Sequence, residues 1–152
     1  MTPVTIRRAA TTDIAGVARL FDAYRQFYEK PADPALATTY IGERIRNGES
    51  VIIVAERQER GLLGFCQLYP TFCSVEAVPT LSLYDLFVWP EARRTGIGKK
   101  LLLAAEQYAA RKGFARLDLM TAKTNIRAQA LYESRGWVRD TVFYAYSKSV
   151  KG

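Results

Sequence analysis

The alternation of hydrophobic and polar positions changes period several times along the chain, and each change marks an element. Val4–Arg8 alternates as a short strand. Thr11-Thr12-Asp13 offers a helix N-cap before Ile14, Val17, Ala18, Phe21 and Tyr24, which follow helical spacing. Lys30-Pro31-Ala32-Asp33-Pro34 breaks that helix and starts a second, which runs to the stop signal Asn47-Gly48. Tyr24, Phe27, Tyr28 and Tyr40 gather around the break, either as core or as one wall of a ligand pocket. Ser50–Glu56 holds the β-prone run Val-Ile-Ile-Val-Ala, and Gln58–Gly61 turns it into a partner strand over about Leu62–Phe72. Cys73–Pro79 reads as a loop and Thr80–Val88 as the next strand. A helix carried by Leu101, Leu102, Ala105 and Tyr108-Ala109 ends near Lys112-Gly113. Arg116–Thr121 alternates as a half-buried strand, and Ile126–Arg135 is helical with Gly136 placed to end it. Trp137–Asp140 and Val142–Lys148 read as closing strands. This order predicts one mixed α/β (α+β) domain over residues 1–152, antiparallel in its first half, with one strand–helix–strand crossover at its centre.

Composition narrows the function. A content of 49% hydrophobic and 12% aromatic residues excludes a disordered chain. No apolar run reaches bilayer-spanning length, and the first residues lack a signal-peptide core, so a cytoplasmic protein with Cys66 and Cys73 reduced is expected. The chain has no histidine, which removes Ser-His-Asp and Cys-His catalysis and argues against a zinc site; no metal is expected. The 22 basic and 15 acidic residues leave a net charge of +7. These charges are dispersed except for one concentration over residues 93–100. That distribution suits a polyanionic small ligand better than a nucleic acid, and neither nucleic acid nor membrane is expected as a partner.

The concentration has a structure of its own. Asp85-Leu86-Phe87-Val88-Trp89 is the end of a strand, Pro90 stops it, and a short loop collects Arg93, Arg94, Thr95, Gly96, Ile97, Gly98 and Lys99 at the start of a helix. The first turn of a helix has unpaired N–H groups and a positive dipole end, and glycines let a ligand approach the main chain. The combination binds phosphate. It is not a Walker loop, because Arg93 stands where the first glycine belongs and Lys100 follows Lys99. It is not a dinucleotide fingerprint either, since Leu101 replaces the third glycine. Arg93-x-x-Gly96-x-Gly98 resembles the acetyl-CoA motif of the GCN5-related N-acetyltransferase (GNAT) superfamily. Asn125-Ile-Arg-Ala128-Gln-Ala-Leu131-Tyr132, closed by Gly136-Trp137, is similar to the C-terminal motif of the same superfamily. Both occur in the family's order, and the likeness covers nearly the whole chain. Arg94-Thr95 departs from the family's frequent Gly-Arg or Gly-Lys pair.

The resemblance implies a GNAT fold with a central mixed sheet of about seven strands, a splayed parallel pair at its middle and about four helices. It implies an N-acetyltransferase that moves acetyl from acetyl-CoA to a primary amine by direct attack. The cofactor would be held by Leu86, Phe87, Val88, Arg93, Arg94, Thr95, Gly96, Ile97, Gly98, Lys99, Asn125, Ala128 and Tyr132. It places the oxyanion donor at the Val88 N–H and the general acid at Tyr132, one turn beyond Ala128. With no histidine, a carboxylate has to meet the acceptor amine, and Asp85 is the first candidate, with Glu76 in a loop behind it. By strand alternation Tyr84 points to the face opposite Asp85. A covalent route through Cys66 or Cys73 lacks an activating neighbour. A small-molecule amine is the expected acceptor; a protein lysine, or a non-catalytic acyl-CoA-binding role, are the alternatives. The aromatic run Val142–Tyr146 predicts a homodimer.

Overall fold

The computed structural model describes residues 2–151. Five strands and four helices follow one another in the order β1 (Thr5–Arg8), α1 (Ile14–Phe27), α2 (Pro34–Arg46), β2 (Val51–Arg57), β3 (Gly61–Cys73), β4 (Val78–Val88), α3 (Ile97–Arg111), β5 (Arg116–Leu119) and α4 (Ile126–Ser134). Contacts divide the chain into two compact units that meet between Met120 and Thr121. The first holds the whole sheet, in the spatial order β1-β2-β3-β4-β5. Neighbours are antiparallel from β1 through β4, and β4 and β5 run parallel across the α3 crossover.

Local chemistry sets the boundaries. Pro34 opens α2, and the Asp33 carboxylate caps it by accepting the Leu36 N–H at 3.1 Å. The buried Asp22 carboxylate accepts the Asp33 N–H at 2.8 Å and so ties α1 to the start of α2. The expected cap on α1 takes another form. Thr11–Asp13 is a single 3-10 turn, and Asp13 reaches back to the Ala10 N–H (2.7 Å) and to the Arg7 guanidinium (2.8 and 2.9 Å). That double pairing holds the Asp13 carboxyl below the usual carboxylate range.

The sheet is covered on both faces. Val17, Leu20 and Phe21 of α1 and Ile41 of α2 pack on Ile52, Val54, Phe65 and Phe87. Cys66, the next residue on β3, points to the other face, where its thiol lies 3.9 Å from the Leu101 carbonyl of α3. Val51–Ala55 is buried at every position, as a central strand between two layers has to be.

Two expectations change. The loop expected at Cys73–Pro79 is only a tight turn, closed by Ala77 N–H to the Ser74 carbonyl (3.1 Å), and β4 begins at Val78. The closing strands expected at Trp137–Asp140 and Val142–Lys148 do not form among the described residues, so the sheet has five strands rather than about seven. A strand needs a ladder partner, and here the Asp140 carboxylate takes the Val142 and Phe143 N–H groups itself, at 3.1 Å each. Val142, Phe143, Tyr144 and Tyr146 stay exposed.

Candidate active site

The centre of the first unit is organised by one extra residue. Gln67 of β3 faces Asp85 of β4, yet the next residue, Leu68, faces Leu83, so Tyr84 bulges out of the ladder. A bulge breaks strict alternation, and Tyr84 and Asp85 therefore share a face. Gln67 and Tyr69, two apart on β3, show it: Gln67 bonds Asp85, while the Tyr69 ring meets the Tyr84 ring at 5.3 Å. Tyr84 does not point away from Asp85, which corrects the expectation from alternation.

Asp85 is nearly fully buried. Its Oδ2 accepts the Gln67 Nε2–H at 2.8 Å, and Gln67 Oε1 accepts the Ser50 hydroxyl at 2.7 Å. Burial raises the Asp85 pKa above the ordinary carboxylate value, and hydrogen bonds from Gln67 and Tyr24 pull it partly back. Tyrosines surround this carboxylate. The Tyr24 hydroxyl also lies 3.3 Å from the Tyr84 carbonyl, so its single proton is shared between that carbonyl and Asp85, and the Tyr40 and Tyr69 hydroxyls meet at 2.7 Å. Tyr24 and Tyr40 pack against the core from its edge, while Phe27 and Tyr28 are exposed. Glu76 is engaged elsewhere, 2.6 Å from Arg116. Cys66 is fully enclosed, and burial pushes its thiol up to about 12, which leaves no thiolate for covalent catalysis at neutral pH.

Beyond Asp85 the main chain of β4 loses a neighbour. The parallel ladder to β5 ends at the pair Leu83 and Leu119. Trp89 donates its N–H across to Leu63 of β3 at 2.9 Å, so by antiparallel alternation the N–H groups of Leu86 and Val88 point to the opposite side. No strand stands on that side of them among the described residues. The Val88 carbonyl accepts the Arg93 Nε–H at 2.9 Å, and the Arg93 guanidinium lies over the rings of Phe87 and Phe27. Arg93 thus folds back on β4.

The loop then enters α3 through Gly96, whose φ of 83° is the left-handed conformation that favours glycine. No side chain caps this end: Thr95 Oγ1 donates instead to the Ala92 carbonyl, at 2.6 Å. Side chains added at Gly96 or Gly98 would project into open space. An uncapped helix start, clear space over both glycines and the cations Arg94, Lys99 and Lys100 fit a phosphate-bearing group such as the pyrophosphate of coenzyme A.

Asn125, Ala128 and Tyr132 lie in the second unit, on or next to α4. Asn125 Oδ1 caps that helix by accepting the Ala128 N–H at 3.2 Å, so this oxygen serves the helix. The Tyr132 ring is tilted against Trp137 at 5.9 Å.

A family model described as the acetyltransferase (GNAT) family matches residues 17–137. The chain belongs to the GNAT acetyltransferase family. An N-acetyltransferase of Bacillus subtilis (strain 168), YhfO, itself uncharacterized, is 44% identical over 147 residues, covering 97% of this chain and 98% of its own. The crystal structure of a probable acetyltransferase superposes with a TM-score of 0.90 at 36% identity, over 97% of this chain and 99% of that one. The aminoglycoside N-acetyltransferase AAC(6')-Iy, solved in complex with CoA, has a TM-score of 0.82 at 18% identity over 97% and 96% of the two chains, a likeness of fold.

Sequence reasoning singled out Asp85 but missed Gln67 and Ser50. The signal was a glutamine inside the apolar run Gly64-Phe-Cys-Gln67-Leu, a polar residue where the strand is wholly buried.

The buried carboxyl makes stability depend on pH. Between the ordinary carboxylate range and the raised value, the folded protein holds more protons than the unfolded chain, so this contribution falls as pH rises. Asp85→Asn removes the ionisation. The melting temperature of the variant relative to the wild type should therefore climb from pH 4 to pH 8. A difference that stays constant across that range would show that Asp85 titrates normally.

Proposed function

We propose that this GNAT protein is an acetyl-CoA-dependent N-acetyltransferase acting on a small-molecule primary amine by direct attack. The chain is read as one domain over residues 1–152, since the family match runs across the boundary at Met120. The observation that carries the reading is the pairing, on one strand, of a buried carboxyl at Asp85 with a Val88 N–H turned away from β3. The small-amine part draws support from the fold neighbour named as an aminoglycoside N-acetyltransferase.

Bound acetyl-CoA supplies the thioester carbonyl and the departing thiolate. The α3 start at Ile97, Gly98 and Lys99 would hold its phosphates, with Arg94 and Lys99 adding charge and the main chain of Leu86–Val88 holding its arm. Phe87 keeps that strand seated on α1. The Val88 N–H donates to the carbonyl oxygen as it gains charge, and loss of one such donor costs about 3–4 kcal/mol. An amine of pKa ~10.4 has to lose a proton before attack, a penalty of roughly 4–5 kcal/mol at pH 7. A carboxylate whose pKa is raised toward neutrality is a better base for that step, and Asp85 fills this role. By resemblance, Tyr132 protonates the departing sulfur, and Asn125 and Ala128 line the cofactor's path.

Gly98→Asp should raise the KM for acetyl-CoA far more than that for the amine, because a carboxylate would face the phosphates. Equal effects on both would remove the loop from cofactor binding. Tyr132→Phe keeps the ring packing and should lower turnover by about 10²–10⁴-fold with little change in acetyl-CoA affinity. Unchanged turnover, where chemistry limits the rate, would take Tyr132 out of the mechanism. A homodimer belongs to the same proposal, supported by the exposed apolar run from Val142 to Tyr146. Light scattering at micromolar concentration should give twice the chain mass; the mass of one chain would reject the dimer.

A further inference from the structure

The sheet face beneath α1 and α2 is apolar at Ile52, Val54, Phe65 and Phe87, and turns polar at Gln67, which faces Ile52 on one side and Asp85 on the other, and at Ser50 just ahead of β2. Ser50, Gln67 and Asp85 are all buried there, Gln67 with no exposed surface. Their hydrogen bonds run in one direction. An ionised carboxylate only accepts, so the Gln67 group that faces Asp85 Oδ2 is its amide N–H. That leaves Gln67 Oε1 toward Ser50, whose hydroxyl has to donate. Ser50 thereby fixes which way the amide points.

We propose that Gln67, oriented by Ser50, is a positioning residue that pins Asp85 Oδ2 and leaves Oδ1 to the acceptor amine. The proposal rests on the reading of Asp85 as the group that meets the amine. A strand between two apolar layers has no packing need for this pair, and burying an amide and a hydroxyl carries a cost that their mutual bonds only offset. What the pair adds is orientation: the Gln67 N–H gives Oδ2 a fixed partner at 2.8 Å, which burial alone does not supply.

The same bond sets the charge of Asp85. An N–H donated to the carboxylate favours the ionised form against burial. The groups that bear on Asp85 from the packed elements are Tyr24 of α1 and Cys66 and Tyr69 of β3, with Arg44 of α2 acting on Tyr69. Both tyrosines are raised well above their ordinary value by burial, and Cys66 to about 12, so none of these three titrates between pH 4 and pH 8. A titration in that range at this site belongs to Asp85.

The test uses Gln67→Met, which keeps the length and loses the donor, and Ser50→Ala, which frees the amide to turn. The Asp85 carboxyl is followed by carbon-13 NMR in aspartate-labelled protein, its signal assigned by its loss in Asp85→Asn. In parallel, the acid limb of kcat/KM is recorded with the best amine from a panel of primary amines. Gln67→Met should move both the titration and the acid limb upward by about one pH unit, and Ser50→Ala should move both less in the same direction. A role confined to packing would lower the melting temperature and leave the acid limb in place. An unmoved Asp85 titration in folded Gln67→Met overturns the proposal; if that variant does not fold, an unmoved titration in Ser50→Ala does so. A moved titration with an unmoved acid limb overturns instead the assignment of Asp85 to the amine, and Gln67's positioning role falls with it.

Discussion

One residue too many on β4 sets the arrangement of the site. Before the bulge, Leu81 and Leu83 belong to the face that α3 covers, outside the cluster under α1 and α2. A strand in strict alternation would carry Asp85 to that same apolar side. The extra residue at Tyr84 reverses the phase, so Asp85 joins Gln67, and Phe87 joins the cluster of Phe21 and Phe65. The reversal also brings Val88 beneath α3. Its side chain there lies near Gly64, where an added Cβ would stand 2.9 Å from the Phe87 carbonyl and 3.1 Å from Val88 Cγ2. A glycine at that position is what allows β3 and β4 to stay this close at the end of the site.

The buried polar chain is a local expense set inside an apolar body. Desolvation raises the Asp85 pKa, so the ionised state that chemistry would use is the state the fold favours less. The core on either side is what tolerates this: Leu20, Ile41, Phe65 and Val54 are wholly enclosed, and the α3 layer adds Leu101, Leu102 and Ala105. Fully burying one such side chain contributes about 1.5–3 kcal/mol, so a few of them outweigh one desolvated carboxyl.

Much of this was legible in the order of residues. Period, caps and breakers together predict α1 to α3 and the strands β1 to β5, whereas α4 buries no residue and shows in the sequence mainly through the Gly136 that ends it. The glycine loop was legible because Gly96 and Gly98 are sparse and stand among cations. What escaped were features that depend on pairing between strands. No local pattern announces a bulge, so strict alternation places Tyr84 on the wrong face. The same holds for the C-terminal segment: Val142-Phe-Tyr-Ala-Tyr has strand propensity, but propensity without a ladder partner does not make a strand, and Asp140 claims the first two N–H groups. The Asn125 oxygen caps α4, a role that its position just ahead of the helix suggests alongside the ligand role the motif implies.

Arg93 shows how a residue can serve a site other than by its charge. Within one strand residue the N–H and C=O point to the same side, so the end of the β4–β5 ladder leaves both groups of Val88 facing a side with no strand among the described residues. Arg93 satisfies the carbonyl through its Nε–H, and its guanidinium is held over Phe87 and Phe27 rather than over the helix start. The acceptor of the pair is therefore occupied, and the donor is the group that faces outward. An edge prepared in this way favours a ligand that brings an oxygen acceptor over one that brings a donor, which is what stabilising a carbonyl oxygen requires. The charge that phosphates would meet then comes from the α3 N–H groups with Arg94, Lys99 and Lys100, while Arg93 fixes the strand end on which the Val88 N–H is carried.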